Sequence, residues 1–345
     1  MNARTTLGMA VIAAAALAAG CAPTIDPGPA ESESELLYPD HPLANRIWET
    51  GTGRFVPEET VRTAVAGARF ALVGEKHDNP AHHRIQASLV GAVVTAGRRP
   101  GLVFEMLTAS QQPAIDTYLA DHPTDASGLG PAVGWETSGW PDWTLYQPIV
   151  EAGRRAGAPV LAGGLDRDVI HGVARHGAEA IGKERKRRLG LDEPIPDAMR
   201  AEMRDEIYIS HCEQLPEPML DPMVTVTLAK DAVMAERLIE GADLPGRDSA
   251  VLIAGDGHVR ADRGVPWHLR RLAPGPAVVT VGILEVVAGK NDPAAYAKGF
   301  DAPTLPYDFV WFTARVDDKD PCEVFAESLR KARERSERPE QTPEN

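Results

Sequence analysis

Glu75, His77 and Asp78 lie within four residues of one another in Gly74-Glu75-Lys76-His77-Asp78-Asn79-Pro80, and Ala81-His82-His83 follows at once. Residues of the same kinds close other apolar runs: Glu105 after Leu102-Val103-Phe104, and His258 in Gly255-Asp256-Gly257-His258. Imidazole and carboxylate together can hold a divalent metal and leave a position open for water, so Glu75, His77, Glu105 and His258 form a candidate metal set. Without metal, a carboxylate in a partly buried cleft has a raised pKa and can act as general base beside a histidine. Glu75, Glu105 and His258 would then be the hydrolytic set. The third possibility is a hydrogen-bonded network that only fixes strand ends. No Ser or Cys nucleophile stands beside a strand-end histidine and Gly-x-Ser-x-Gly is absent, which argues against covalent acyl-enzyme chemistry.

These residues need elements to position them. Phe70-Ala71-Leu72-Val73 is apolar without alternation, which suits a strand covered on both faces. Asn79 and Pro80 read as the N-cap and first residue of a helix. Further strands are expected at Leu102–Phe104, Pro159–Ala162, Val251–Ala254 and Val278–Leu284, with a late edge strand within Asp308–Arg315. Helical patterns at Val61–Ala68, Ile85–Ala96, Ile115–Ala120 and Leu145–Ala156 fall between them. The alternation predicts an α/β fold, a mostly parallel central sheet with helices on both faces, and ligands in such folds bind outside the carboxyl ends of the strands. Residues 167–245 show no strand pattern and read as a helical insert over one end of the sheet, with long helices at Glu193–Glu213 and Pro222–Gly241. On the helix from Pro80, Ile85, Leu89 and Val93 form a stripe that includes His82 and leaves His83 a quarter-turn away. His82 is therefore placed near Glu75 and His77. Lys230 and Asp231 sit mid-way along a helix apolar nearly all round, and buried charges there need partners.

The remainder of the chain bounds the setting. Residues 1–20 read as a signal peptide, with Arg4 and an apolar Leu7–Ala19 too short for a bilayer, which takes roughly 20 residues. They close on a lipobox-like Ala18-Ala19-Gly20-Cys21, which makes Cys21 the expected lipidation site. Residues 21–36 read as a flexible tether, 37–330 as the folded domain and 331–345 as a disordered tail. The net charge of −14 argues against a nucleic-acid partner, and the basic run Lys183–Arg188 reads as a solvated helical face. Cys212 and Cys322 could pair in an oxidising compartment, although spacing alone does not bring them together.

The opening motif, then Phe104-Glu105-Met106, Trp143-Thr144-Leu145-Tyr146, Lys230-Asp231 with Met234-Ala235, and Gly255-Asp256-Gly257-His258 occur in that order between about Phe70 and Pro266. This succession resembles the ChaN family of haem-binding uptake lipoproteins within the Tiki superfamily. The resemblance implies haem binding for iron uptake without turnover, a place on the bacterial outer membrane (periplasm-facing or surface), a tyrosine as iron ligand, and a homodimer enclosing stacked haems. The cofactor-binding set it implies here is Glu75, His77, His82, Tyr146, Tyr208 and His258. Tyr146 matches the Trp-x-x-Tyr segment, with Tyr208, Tyr296 and Tyr307 as rival ligands and Met219, Met223 and Met234 as pocket lining. The wider superfamily, which includes Tiki-type proteases and erythromycin esterases, implies the alternative: a metal-dependent or carboxylate/His-based hydrolase using Glu75, Glu105 and His258.

Overall fold

The apolar runs that end at the site motifs form the middle of one eight-stranded sheet. A computed structural model of the chain describes residues 36–336. The expected signal peptide, the Cys21 acylation site, nearly all of the tether and the end of the tail lie outside them. The strands are β1 (Ile47–Glu49), β2 (Arg54–Val56), β3 (Phe70–Glu75), β4 (Pro100–Thr108), β5 (Val160–Gly164), β6 (Ser249–Gly255), β7 (Val278–Glu285) and β8 (Phe309–Thr313). Their order is β2-β1-β8-β7-β3-β6-β4-β5. The six strands from β8 to β5 run parallel, and the β1–β2 hairpin adds two antiparallel strands at one edge. The hairpin, absent from the sequence expectation, moves β8 off the edge. Strands of three residues around Thr50-Gly51-Thr52-Gly53 are too short to show periodicity.

The helices are α1 (Glu58–Gly67), α2 (Pro80–Thr95), α3 (Gln112–Asp121), α4 (Leu129–Ala132), α5 (Trp143–Arg154), α6 (Arg167–His176), α7 (Lys183–Arg188), α8 (Asp197–Ser210), α9 (Leu220–Asp243), α10 (Val265–Leu272) and α11 (Pro321–Ser336). Strand side chains divide between two cores. Ala71, Val73, Leu102, Phe104, Val251 and Ile253 pack with Val61 and Val65 of α1, Leu89 and Val93 of α2 and Ile149 of α5. Phe70, Leu72, Val103, Leu252 and Ala254 pack with Met234 and Leu238 of α9 and Leu269 of α10. Each strand thus buries both of its faces, the physical reason its sequence carries no polar alternation.

Residues between Asp166 and Leu244 hold α6 to α9, two more helices than the sequence pattern showed. The last of them does not simply cap the sheet: the C-terminal half of α9 lies on its face. There Gly241 meets Gly101 of β4 so closely that a Cβ on Gly101 would stand 2.8 Å from the Gly241 carbonyl. The basic run forms α7, where Arg185 and Arg188 clamp the buried Glu236 of α9 at 2.6 and 2.7 Å, so only part of it is a solvated face. Cys212, just past α8, is disulfide-bonded to Cys322 at the start of α11, with Cα atoms 5.4 Å apart. Helix α11 continues to Ser336, into the stretch expected to fray.

Candidate functional site

The period of two along a strand places Glu75 on the same face as Val73, toward α2 and α5. Glu105 follows the face of Val103, toward α9. The carboxyl edge therefore carries two clusters on opposite faces rather than one. Gly255 separates them: a Cβ there would stand 3.1 Å from His77 Nε2 and 3.6 Å from Glu105 Oε2.

On the α2 face, Glu75 is 1% exposed. Its Oε1 lies 2.8 Å from His77 Nδ1 and accepts from the Tyr146 hydroxyl at 3.2 Å. Its Oε2 forms an ion-pair contact with His83 Nδ1 at 2.9 Å but receives no aligned hydrogen bond, because that ring edge also faces Gln86 Oε1 at 3.2 Å. His83 Nε2 donates to the His77 carbonyl at 2.9 Å. Burial alone would raise the Glu75 pKa, yet the close contacts with His77 and His83, and their charge, bring it down to about 2. His83 is raised: burial opposes its charge, and Glu75 outweighs that. Trp140 packs over His77 with ring centres 4.6 Å apart, a neighbour with no periodic signal in its loop.

His82 is not in this cluster. It accepts from Lys76 N on Nδ1 at 2.9 Å and meets Thr313 Oγ1 with Nε2 at 2.8 Å, tying the loop to β8. Burial lowers its pKa to about 3, so it is neutral. The single-stripe projection failed because α2 buries two flanks, one on the sheet and one on α5, and His83 points between them against Tyr146 at 4.3 Å. Asp78 is exposed and pairs with Lys76, at 3.2 Å.

On the α9 face, Lys230 Nζ donates to Glu105 Oε1 at 2.7 Å, and His258 Nε2 stands 3.1 Å from the same oxygen. The Gly255 amide donates to Oε2 at 2.9 Å, and Asp231 Oδ1 holds His258 Nδ1 at 2.5 Å. Lys230 and Asp231 thus find separate partners in one quartet. Burial disfavours the Glu105 charge, but His258 and Lys230 hold its pKa well below the carboxylate range. Burial also opposes charge on His258, while Glu105 and Asp231 raise it to about 9.

These environments run against the hydrolytic set, since both carboxylates are depressed rather than raised and His258 is an imidazolium at neutral pH. The metal set fails for a related reason: the Lys230 ammonium occupies the position between Glu105 and His258. Among the described residues no group of three His, Cys, Asp or Glu side chains is arranged to hold a metal ion.

The tyrosines separate as clearly. Tyr146 is fully buried and donates to Glu75; burial and the Glu75 charge push its pKa far above the phenol range, so it cannot supply a phenolate. Tyr307 donates to the Asp256 carbonyl at 3.1 Å. The Tyr296 hydroxyl accepts from Val287 N at 2.9 Å and donates to the Lys290 carbonyl at 3.2 Å. Tyr208, on α8, is half-buried, and its hydroxyl has no hydrogen-bond partner among the described residues. Ile209 beside it is 66% exposed. Arg204, one turn before Tyr208, holds Asp221 at 2.5 Å and Glu217 at 3.6 Å, fixing the turn that carries Met219, itself 43% exposed. Met223 is half-buried, and Met234 is sealed between α9 and the sheet, away from any surface pocket.

A search of curated proteins finds no match. Among solved structures, the fold is similar to that of ChaN of Campylobacter jejuni, described with cofacial haem binding, at 21% identity over 77% of this chain and 95% of that one, with a TM-score of 0.59. The type III effector HopBA1 (14% identity, 74% and 93% covered, TM-score 0.41) and an erythromycin esterase mutant in its open conformation (13%, 76% and 80%, 0.36) are looser likenesses that carry no functional weight. The family described as haem-binding uptake, Tiki superfamily, ChaN matches residues 61–269, and the chain belongs to that family.

Proposed function

We propose that the chain binds haem on the flank of α8, with Tyr208 as iron ligand, and serves iron uptake as a lipid-anchored dimer. The observation that carries this reading is that, among the described residues, the Tyr208 hydroxyl has no hydrogen-bond partner, where Tyr146, Tyr296 and Tyr307 are committed to internal hydrogen bonds. A ferric haem supplies a hard centre that takes an anionic oxygen ligand, and needs an apolar surround for the macrocycle. Ile209 and Met219 supply exposed apolar surface on this flank, which fits such a group. A second copy covering it would remove that surface from water. The lipobox-like Cys21 supports anchoring at the bacterial outer membrane, periplasm-facing or surface.

Hemin titration of the chain and of Tyr146, Tyr208, Tyr296 and Tyr307 phenylalanine variants tests the ligand. A saturable Soret shift lost only in Tyr208→Phe, with dimer formation in sedimentation, supports the reading; haem spectra untouched by that change would sink it. Anchoring predicts that labelled fatty acid is incorporated and that Cys21→Ser abolishes incorporation.

A further inference from the structure

A small, largely enclosed cavity of about 90 Å³ lies among α8, α9, α10 and the segment before α8, apart from the sheet edge and from Tyr208. Its walls are mostly apolar, with Leu191, Ile195, Leu228 and Trp267; the polar side chains that line it are His268, Arg200, Thr225, whose hydroxyl donates to the Asp221 carbonyl, and Glu193, which is paired with Arg271. His268 is 2% exposed, and its Nε2 has no hydrogen-bond partner. A buried polar atom in that condition loses its full hydration unless something fills the adjoining space. The Arg200 guanidinium is loosely held, its partner Asp221 standing 3.8 Å away.

We propose that this cavity is a binding site for a small aliphatic monocarboxylate of roughly two to four carbons, the class that a small enclosed space with aliphatic walls and a polar end admits. The carboxylate accepts a hydrogen bond from His268 Nε2–H and faces Arg200, while the hydrocarbon lies against Leu191, Ile195, Leu228 and Trp267. An apolar body with one ionised end matches aliphatic walls with one uncommitted donor, His268, and one loosely held cation, Arg200, because the wall's own carboxylate, Glu193, and hydroxyl, Thr225, already have partners. The charges that shift His268 are Asp231, which favours its protonation, and Arg271, which opposes it; Arg271 is paired with Glu193, which lines the cavity with Arg200. Burial holds His268 neutral, lowering its pKa to about 4. A bound carboxylate therefore brings in the negative charge that Arg200 is placed to meet. This inference stands apart from the haem reading.

The test is titration of the full, histidine-labelled chain with acetate, propionate, butyrate and hexanoate at constant ionic strength. The readout is the His268 imidazole resonance by NMR, assigned with His268→Gln. The expected result is a saturable shift with Kd of about 0.1–10 mM. Affinity should rise from acetate to butyrate and be lost at hexanoate. Arg200→Gln, a half-exposed position, should weaken butyrate by about threefold to tenfold. Leu228→Phe, which fills the space, should abolish the shift while the far-UV spectrum is retained. No saturable shift up to roughly 50 mM of any acid, as for a cavity holding only water, overturns the proposal. Equal shifts in the wild type and both variants overturn it as well.

Discussion

The carboxyl edge of the sheet and the flank of α8 use polar groups in opposite ways. At the edge, Glu75, His77, His83 and Tyr146 on one face, and Glu105, Lys230, His258 and Asp231 on the other, are spent on one another. The α8 flank carries ion pairs of its own, such as Arg204 with Asp221 and Glu217, yet among the described residues its Tyr208 hydroxyl has no partner, and Ile209 and Met219 stand in water. Density of chemistry in a sequence marks where charges must be reconciled on burial; availability marks where a ligand can go. The difference teaches that the densest motif here is spent on holding strand ends and loops in place, whereas the proposed haem site rests on a group left uncommitted.

Breaking each region separately tests that contrast. The largest effect is expected for Glu105→Ala, which leaves Lys230 and His258 without their shared anion and should cost about 3–5 kcal/mol in urea unfolding. Hemin spectra of the folded fraction should not change; a lost Soret shift would put the edge in the haem site. Next, Tyr208→Phe should weaken hemin roughly 100-fold, about 2.7 kcal/mol, while moving stability by no more than about 0.5 kcal/mol. Tyr146→Phe should do the reverse on a smaller scale, removing one buried hydrogen bond for about 1–2 kcal/mol with hemin binding intact.

A pH profile reads the titratable groups of the edge. His258, raised to about 9, contributes stability fully present below its ordinary 6.5 and lost as pH rises through 9. Glu75, lowered to about 2, contributes stability present above 4.5 and lost as pH falls through 2. His82, lowered to about 3, stays neutral when folded, so below 6.5 the unfolded chain takes up its proton first and stability falls. The urea midpoint should peak at about pH 6–7, and Glu105→Ala should flatten the alkaline limb. An unchanged alkaline limb in that variant would show that Glu105 is not what holds the His258 proton.

Much of this was legible in sequence, and particular residues show why the rest was not. β3, its exit loop and the Asn79–Pro80 helix start were readable because burial on both faces and capping are local rules. The division of Glu75 from Glu105 follows from parity with Val73 and Val103, but which face each parity meets depends on helices distant in sequence. His82 and His83 exchanged roles because a helix wedged between a sheet and another helix has two inward sides. Tyr208 carried no motif: its distinction is that its hydroxyl finds no partner among the described residues, which only their placement reveals. The cysteines met because α8 and α11 are neighbours in space across 110 residues of sequence.

The strand order has a consequence for how the chain comes into being. β3, which delivers Glu75, pairs only with β6 and β7, whose residues begin at Ser249 and Val278. During synthesis the central strand must therefore wait for the last third of the polypeptide, leaving an apolar segment with two open edges. Such long-range closure slows folding and exposes the nascent chain to association. A chain ending before Ser249 would hold the opening motif intact and have nothing on either side of it to build upon.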